Sequence, residues 1–330
     1  MSKQKELNIG VLGACGNIGT THTQNLATYV DGARLAAVYD LNPEKVAAVA
    51  EKYGAKAMSS AEELIGSPDI DAVLVASWDG THADLVTKCI AAGKPVFCEK
   101  PLATTLADAK AVVDAEKASG KQLVQVGFMR RFDPDYIKMK KLLDSGDLGA
   151  PLMAHCISRT RSHPKDHTTE QHITNIAIHE IDICRWLLGE NMSEVSVRFP
   201  RVTQFAAPGS KDPQMVFMQS ESGVLIDVEV TGNSYYGYEI LCELVCEKGT
   251  IRLPIAAEPI VRSYLKCGQD IPEDWTARFV VAYRAELQHW VDYLRGLTSV
   301  PGPSAGDGYE AAVISDALIR AQKTGAWENV

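Results

Sequence analysis

The chain has 330 residues, enough for two domains or one large one, and its 46% hydrophobic and 23% charged content is that of a globular protein with a full core. A net charge of −9 excludes the basic surface that a nucleic-acid partner requires, and no apolar run reaches the length of a membrane span. The N-terminal residues lead straight into a strand, so no signal peptide is expected. The eight cysteines form no C-x-x-C pair and sit mostly inside apolar runs, as reduced thiols of a cytoplasmic protein do.

Residues 7–12 read as a short buried strand. It runs into Gly13-Ala14-Cys15-Gly16-Asn17-Ile18-Gly19 and a helix ending near Tyr29. Glycines at a strand-to-helix turn let backbone approach a pyrophosphate, whose charge the helix N-terminus favours. The spacing G-x-x-G-x-x-G is one residue longer than the usual dinucleotide pattern, so context has to support it. A second strand over 34–39 supplies that context by ending in Asp40, about 20 residues beyond Gly19, where a carboxylate meets an adenosine ribose. Such a carboxylate accepts from a 2′-hydroxyl and repels a 2′-phosphate, which favours NAD over NADP. Asn42-Pro43-Glu44 is a helix start that runs to Gly54, and Ser60 with Glu63 forms a capping-box pattern. A strand over 71–76 ends in Ser77-Trp78-Asp79, and a helix then runs to Ala92.

The stretch that follows is Pro95-Val96-Phe97-Cys98-Glu99-Lys100-Pro101. A buried strand here delivers Lys100 at its C-terminal end, where open α/β sheets bind ligands, and Pro101 stops the strand. A helix over 105–119 and a strand over 122–126 complete the alternation. Strands alternating with helices of this length predict a parallel sheet covered on both faces, in a domain over 1–127.

After Gly127 the pattern changes to α+β, over 128–330. Residues 224–231 alternate strictly, with Val224, Ile226, Val228 and Val230 on one face of a strand. Helices are expected over 279–295 and 309–324, joined by the Pro/Gly/Ser-rich loop 300–308. In a helix over 174–186, Asn175, His179 and Asp182 fall at i, i+4 and i+7 on one stripe, so His179 is a candidate oriented base. His163, His167 and His172 match a zinc spacing only loosely. They read as a solvated loop, and no metal is expected.

Together Ala76-Ser77-Trp78, VFCEKPLATT over 96–105, QVGFMRRF over 125–132, His179-Glu180-Ile181-Asp182 and the segments around Gly237-Tyr238 and Asp307-Gly308 resemble the Gfo/Idh/MocA oxidoreductases, and among them the inositol 2-dehydrogenases. The resemblance spans nearly the whole chain. It implies a Rossmann domain followed by an α+β domain with a large open, mostly antiparallel sheet, a cis peptide at Lys100–Pro101, and NAD as cofactor. Gly13, Gly16, Asn17, Ile18, Asp40, Ser77, Trp78, His82, Glu99 and Lys100 are expected around the cofactor. Lys100, His179 and Asn175 are expected to be catalytic, with His179 as general base. Met129, Arg130, Ser158, Thr160, Asn175, His179 and Tyr236 are expected around a polyol or sugar, in a homotetramer built through the sheet. Two departures stand out. Asn175 occupies the position of a family aspartate, and Ser158 and Thr160 stand where inositol enzymes tend to offer His and Asn. The first reading is therefore oxidation of a ring hydroxyl of myo-inositol or a related cyclitol or sugar. An NAD-dependent redox lyase or glycosidase, a pyranoside oxidoreductase, and a catalytically silent NAD/sugar sensor stay open beside it.

Overall fold

The computed structural model describes residues 6–254 and 260–330. By their contacts the residues form two compact units, Met1–Met129 with Val281–Ala312, and Arg130–Val280 with Val313–Val330. This division differs from a single cut at residue 127. Leu287, Trp290 and Val291 lie in one apolar core with Ile9, Val11, Leu74 and Phe97, which ties a late helix to the first sheet.

The first unit holds six strands: β1 (Leu7–Leu12), β2 (Ala33–Tyr39), β3 (Lys56–Ala57), β4 (Ala72–Val75), β5 (Val96–Glu99) and β6 (Val124–Gly127). They are parallel, in the order β3-β2-β1-β4-β5-β6, the doubly wound dinucleotide-binding order. The unbroken apolar runs of β4 and β5 are buried throughout, as a sheet covered on both faces demands. The connecting helices are α1 (Asn17–Thr28), α2 (Pro43–Tyr53), α3 (Ala61–Gly66), α4 (His82–Ala91) and α5 (Leu106–Ser119). Their ends follow local chemistry. Asn42 accepts from the Lys45 N–H at 3.0 Å, Thr105 from the Asp108 N–H at 3.1 Å, and Gly54 closes α2 in the left-handed region. At α3 the Ser60 hydroxyl accepts from the Glu63 N–H, but the Glu63 carboxylate turns back to Ser59 rather than Ser60, so the capping box is displaced by one residue.

The second unit contains α6 (Pro134–Asp144), β7 (Pro151–Arg159), α7 (Ile178–Leu188), β8 (Met192–Arg198), β9 (Gln214–Ser220), β10 (Leu225–Thr231), β11 (Glu239–Cys246), β12 (Gly249–Arg252) and a small hairpin of β13 (Val261–Ser263) and β14 (Lys266–Gly268). Its sheet runs β12-β11-β7-β10-β9-β8-β15, the last strand being Glu328–Asn329, and only the β7–β10 pair is parallel. Ile226, Val228 and Val230 of β10 are fully buried, as the alternation requires. Helices α8 (Trp275–Leu294) and α9 (Ala305–Thr324) each belong partly to both units. Helix α9 starts four residues before the expected position. Ser304 and Asp307 cap each other there, Asp307 N–H to Ser304 Oγ and Ser304 N–H to the Asp307 carboxylate, a start signal hidden in a stretch that composition marks as loop.

Candidate functional site

The glycine turn lies at the C-terminal end of β1. Gly13 has φ +82°, and a Cβ there would meet Ala76 O and the Ser77 backbone at 2.5 Å. A Cβ on Gly19 would meet Gly13 O at 1.9 Å, so the extra residue in the motif leaves the close approach of α1 to the turn intact. Gly16 differs, because a Cβ there would make only ordinary contacts at 3.5 Å and beyond. The protein itself does not require that glycine, whereas close approach of a pyrophosphate does. Gly16 is also the N-cap of α1, which starts at Asn17 and Ile18 with no side-chain cap and no acid in its first turn. Its N-terminal N–H groups are therefore left to an anion. Asp40 follows β2 beside the turn, its carboxylate accepting from the Cys15 N–H at 2.9 Å and the Leu41 N–H at 2.7 Å. These residues fit an NAD pyrophosphate and ribose.

Lys100 follows β5 at the same edge of the sheet, and the Lys100–Pro101 peptide is cis. His82 is buried with its ring nitrogens 2.7 Å from Pro101 O and 3.1 Å from Ser77 O, so it spans the segments after β4 and β5. Trp78 stands exposed. Glu99 points inward, its Oε1 2.6 Å from His22 Nε2 on α1 and its Oε2 accepting from the Lys100 N–H at 3.1 Å. His22, 77 residues away in sequence, carried no local signal. Met129 is buried at the end of the unit's first segment.

In the second unit, Asn175 and His179 lie on consecutive but different helical segments. His172–Ala177 form a turn of π-helix, with the Ile178 N–H reaching Ile173 O, and α7 begins only at Ile178. The uniform α spacing of the predicted stripe is thus broken by a wider turn of the kind often found at functional sites. Asn175 and His179 are both half-buried. Asp182 is buried, and both of its oxygens accept from the guanidinium of Arg131, at 3.0 Å from Nε. Arg130, an expected substrate contact, is buried against Glu180, and burial pushes the Glu180 carboxyl up to about 7 despite the adjacent guanidinium. Two adjacent arginines thus grip two acids flanking Ile181 of α7.

The remaining expected contacts separate. Ser158 is buried on the face of β7 that also carries Ala154 and Cys156, and Cys156 lies 3.9 Å, sulfur to sulfur, from Cys184 of α7. The Thr160 hydroxyl donates to Gly232 O at 2.9 Å. Tyr236 is half exposed and joined to Arg159 and Glu239. The expected solvated histidine loop is instead packed. His167 and His172 are buried, His163 and His167 stack with ring centres 4.0 Å apart, and His172 Nε2 lies 3.4 Å from Asp212. The reason lies in distant chain, since Gly232 and Asn233 hold the Asp212 carboxylate against the loop. Burial, then the neighbouring imidazoles, lower His167 to about 3.

Comparisons with known proteins agree with this architecture. Residues 7–128 match the Gfo/Idh/MocA profile described as an oxidoreductase family with an NAD-binding Rossmann fold, and residues 140–330 match its C-terminal alpha/beta domain. An inositol 2-dehydrogenase of Burkholderia lata is 45% identical over 98% of this chain and 96% of its own length. One from Klebsiella pneumoniae is 45% identical over 96% of this chain and 94% of its own length. The crystal structure of myo-inositol dehydrogenase from Lactobacillus casei, in complex with NAD(H) and myo-inositol, superposes with a TM-score of 0.94 at 35% identity, covering 98% of this chain and 96% of that one.

Proposed function

The chain belongs to the Gfo/Idh/MocA oxidoreductase family, and on that premise we propose that it is an NAD-dependent dehydrogenase oxidising a secondary ring hydroxyl of myo-inositol or a close cyclitol or sugar to the ketone. The observation that carries this is the common sheet edge. The strand order brings the glycine turn, Asp40, Ser77 and Lys100 to the C-terminal ends of β1, β2, β4 and β5.

The backbone from Gly13 to Ile18 holds the pyrophosphate and Asp40 the adenosine ribose, while Ser77, Trp78 and His82 line the same edge. Bound NAD supplies the hydride acceptor. Lys100 offsets the negative charge that builds on the substrate oxygen as its proton leaves, an interaction that strengthens toward the transition state. His179 takes that proton. Asn175 orients the imidazole by hydrogen bonding but cannot neutralise the imidazolium as an aspartate does. Ser158 is interior and the Thr160 hydroxyl is tied to Gly232 O, so neither sets the size of the substrate, and cyclitols and glycosides other than myo-inositol belong in the substrate panel. Arg130 is committed to Glu180 and so acts by holding α7 rather than by touching the substrate.

Incubation with NAD and a panel of free polyols and sugars should give net NADH, with myo-inositol or a near relative the best substrate. Absence of NADH with every free polyol and sugar would overturn the reading. The protein works as a cytoplasmic homotetramer in this proposal. Eight cysteines without a disulfide suit a reducing compartment, including Cys156 and Cys184 in near contact. On the sheet face bearing Met153, Leu225, Met215 and Phe217, the first two are exposed and the last two only half-buried, and an apolar face left in this state supports an interface. A monomer mass by light scattering at micromolar concentration would refute the assembly.

A further inference from the structure

Behind Lys100 lies a second acid that neither the cofactor nor the proton transfer uses. Glu286 of α8 is fully buried, and among the described residues neither of its oxygens has a hydrogen-bond partner. One ligand atom from each of Glu286, Glu99 and His22 falls within 4.8 Å of the other two, and all three residues are buried. The walls are aromatic. His22 meets Phe97 and Tyr283 edge to face, at 5.6 and 5.7 Å between ring centres, and Phe97 packs on Trp290. Gln125 on β6 adds an amide whose nitrogen lies 3.4 Å from the Glu286 main-chain oxygen.

Two carboxylates this close in an apolar compartment cannot both be ionised with one imidazole to answer them. Either a cation joins the cluster or one acid keeps its proton. The geometry decides between these. His22 and Glu99 are 2.6 Å apart, a hydrogen-bond separation, whereas two ligands on one tetrahedral zinc stand roughly 3.3 Å apart. Glu99 is engaged by His22 and by the Lys100 N–H, so it is the acid with reason to be ionised, and Glu286 is the one left without a donor.

We propose that Glu286 is a permanently protonated acid that leaves Glu99 the single carboxylate of the cluster, held under the Lys100 backbone by His22, making His22 and Glu286 positioning residues for the catalytic lysine. Burial, reinforced by Glu99, drives the Glu286 carboxyl well above its ordinary range, in keeping with that assignment. The inference rests on the role given to Lys100 above, and its test separates the two.

Infrared difference spectra of wild type against Glu286→Gln at neutral pH should contain the C=O stretch of a protonated carboxylic acid, present only in wild type. Its absence would overturn the proposal, as would a stoichiometric metal that a chelator removes with loss of thermal stability. In steady state, Glu286→Leu and His22→Phe should each lower kcat about tenfold or more, shift its pH profile, and leave KM for NAD within about threefold. Glu286→Gln, neutral and similar in shape, should recover most of the turnover lost in Glu286→Leu. If Lys100→Ala is inactive while His22→Phe retains wild-type kcat and pH profile, the lysine reading stands and the positioning role is overturned. If Lys100→Ala retains turnover, the lysine reading fails and takes the catalytic link with it. The infrared band still reads the proton in that case, and it does so even if His22→Phe does not fold.

Discussion

The first unit positions its candidate residues with backbone, the second with paired side chains. In the first, Gly13, Asp40, Ser77 and Lys100 each follow a strand of one parallel sheet, and main-chain N–H and C=O groups fix Asp40 and His82. In the second, α7 is gripped by Arg130–Glu180 and Arg131–Asp182, with a π turn ahead of it. Parallel strand ends make a site wherever the topology reverses, almost independently of sequence detail. A site on a helix depends on what holds the helix. The acids follow the same division. Glu180 and Asp182 each have a guanidinium, while Glu286 has none.

The largest effect belongs to the first unit. Lys100→Ala should lower kcat at least about a thousandfold with NAD binding retained, since the amine acts mainly on charge that develops in the reaction. An unchanged kcat would move the chemistry elsewhere. The second unit should respond in stability instead. Arg130→Met leaves Glu180 buried and unpaired, which costs about 3–5 kcal/mol and should appear as a much lower denaturant midpoint. A midpoint near wild type would show that α7 is held some other way. Asp40→Ala should narrow the preference for NAD over NADP by about a hundredfold in kcat/KM, because a like-charge clash is worth several kcal/mol. Wild type using both cofactors equally would remove that role. Asn175→Asp should raise turnover on myo-inositol about tenfold if the amide has retuned an inositol-type site. No change on any substrate, with wild type already fast on inositol, would uncouple residue 175 from the base.

The remaining effect is on stability rather than turnover, the pH response of the packed histidines. His167 is held near 3 in the folded chain, below its unfolded value of about 6.5, so the unfolded state binds more protons between those limits. Stability should therefore fall as pH drops below about 6.5 and level off near 3. His163 and His172 oppose a charge on His167, and Asp212 offsets part of it. Replacing His167 with Gln should flatten that part of the urea-midpoint profile, and an unchanged slope would assign the acid sensitivity to other groups.

Much of the first unit was legible in the sequence because its signals are local. Asn42-Pro43-Glu44, Ser60 before α3, the glycine turn and the run ending at Lys100 each state their structure within a few residues. Strand β3 was not legible, since its two residues become a strand only by pairing with β2. The start of α9 was written in Ser304 and Asp307 but masked by Pro and Gly around them. In the second unit the alternation in β10 announced its buried face, yet nothing local marked Ser158 as interior, the π turn before His179, or the burial of His167 and His172. Those outcomes depend on residues far along the chain, such as Asp212 and Asn233 beside the histidine loop.

The sequence by itself determined the alternation of elements, the glycine turn that follows β1, the acid that follows β2 and the lysine that follows β5, because propensity, capping and periodicity act over one or two turns. Only the tertiary structure decided which charges are compensated and by what. Arg130 met Glu180, and Glu99 met His22 and Glu286, across 50, 77 and 187 residues, because burial removes water and leaves each charge to whatever group the fold brings within a few ångströms.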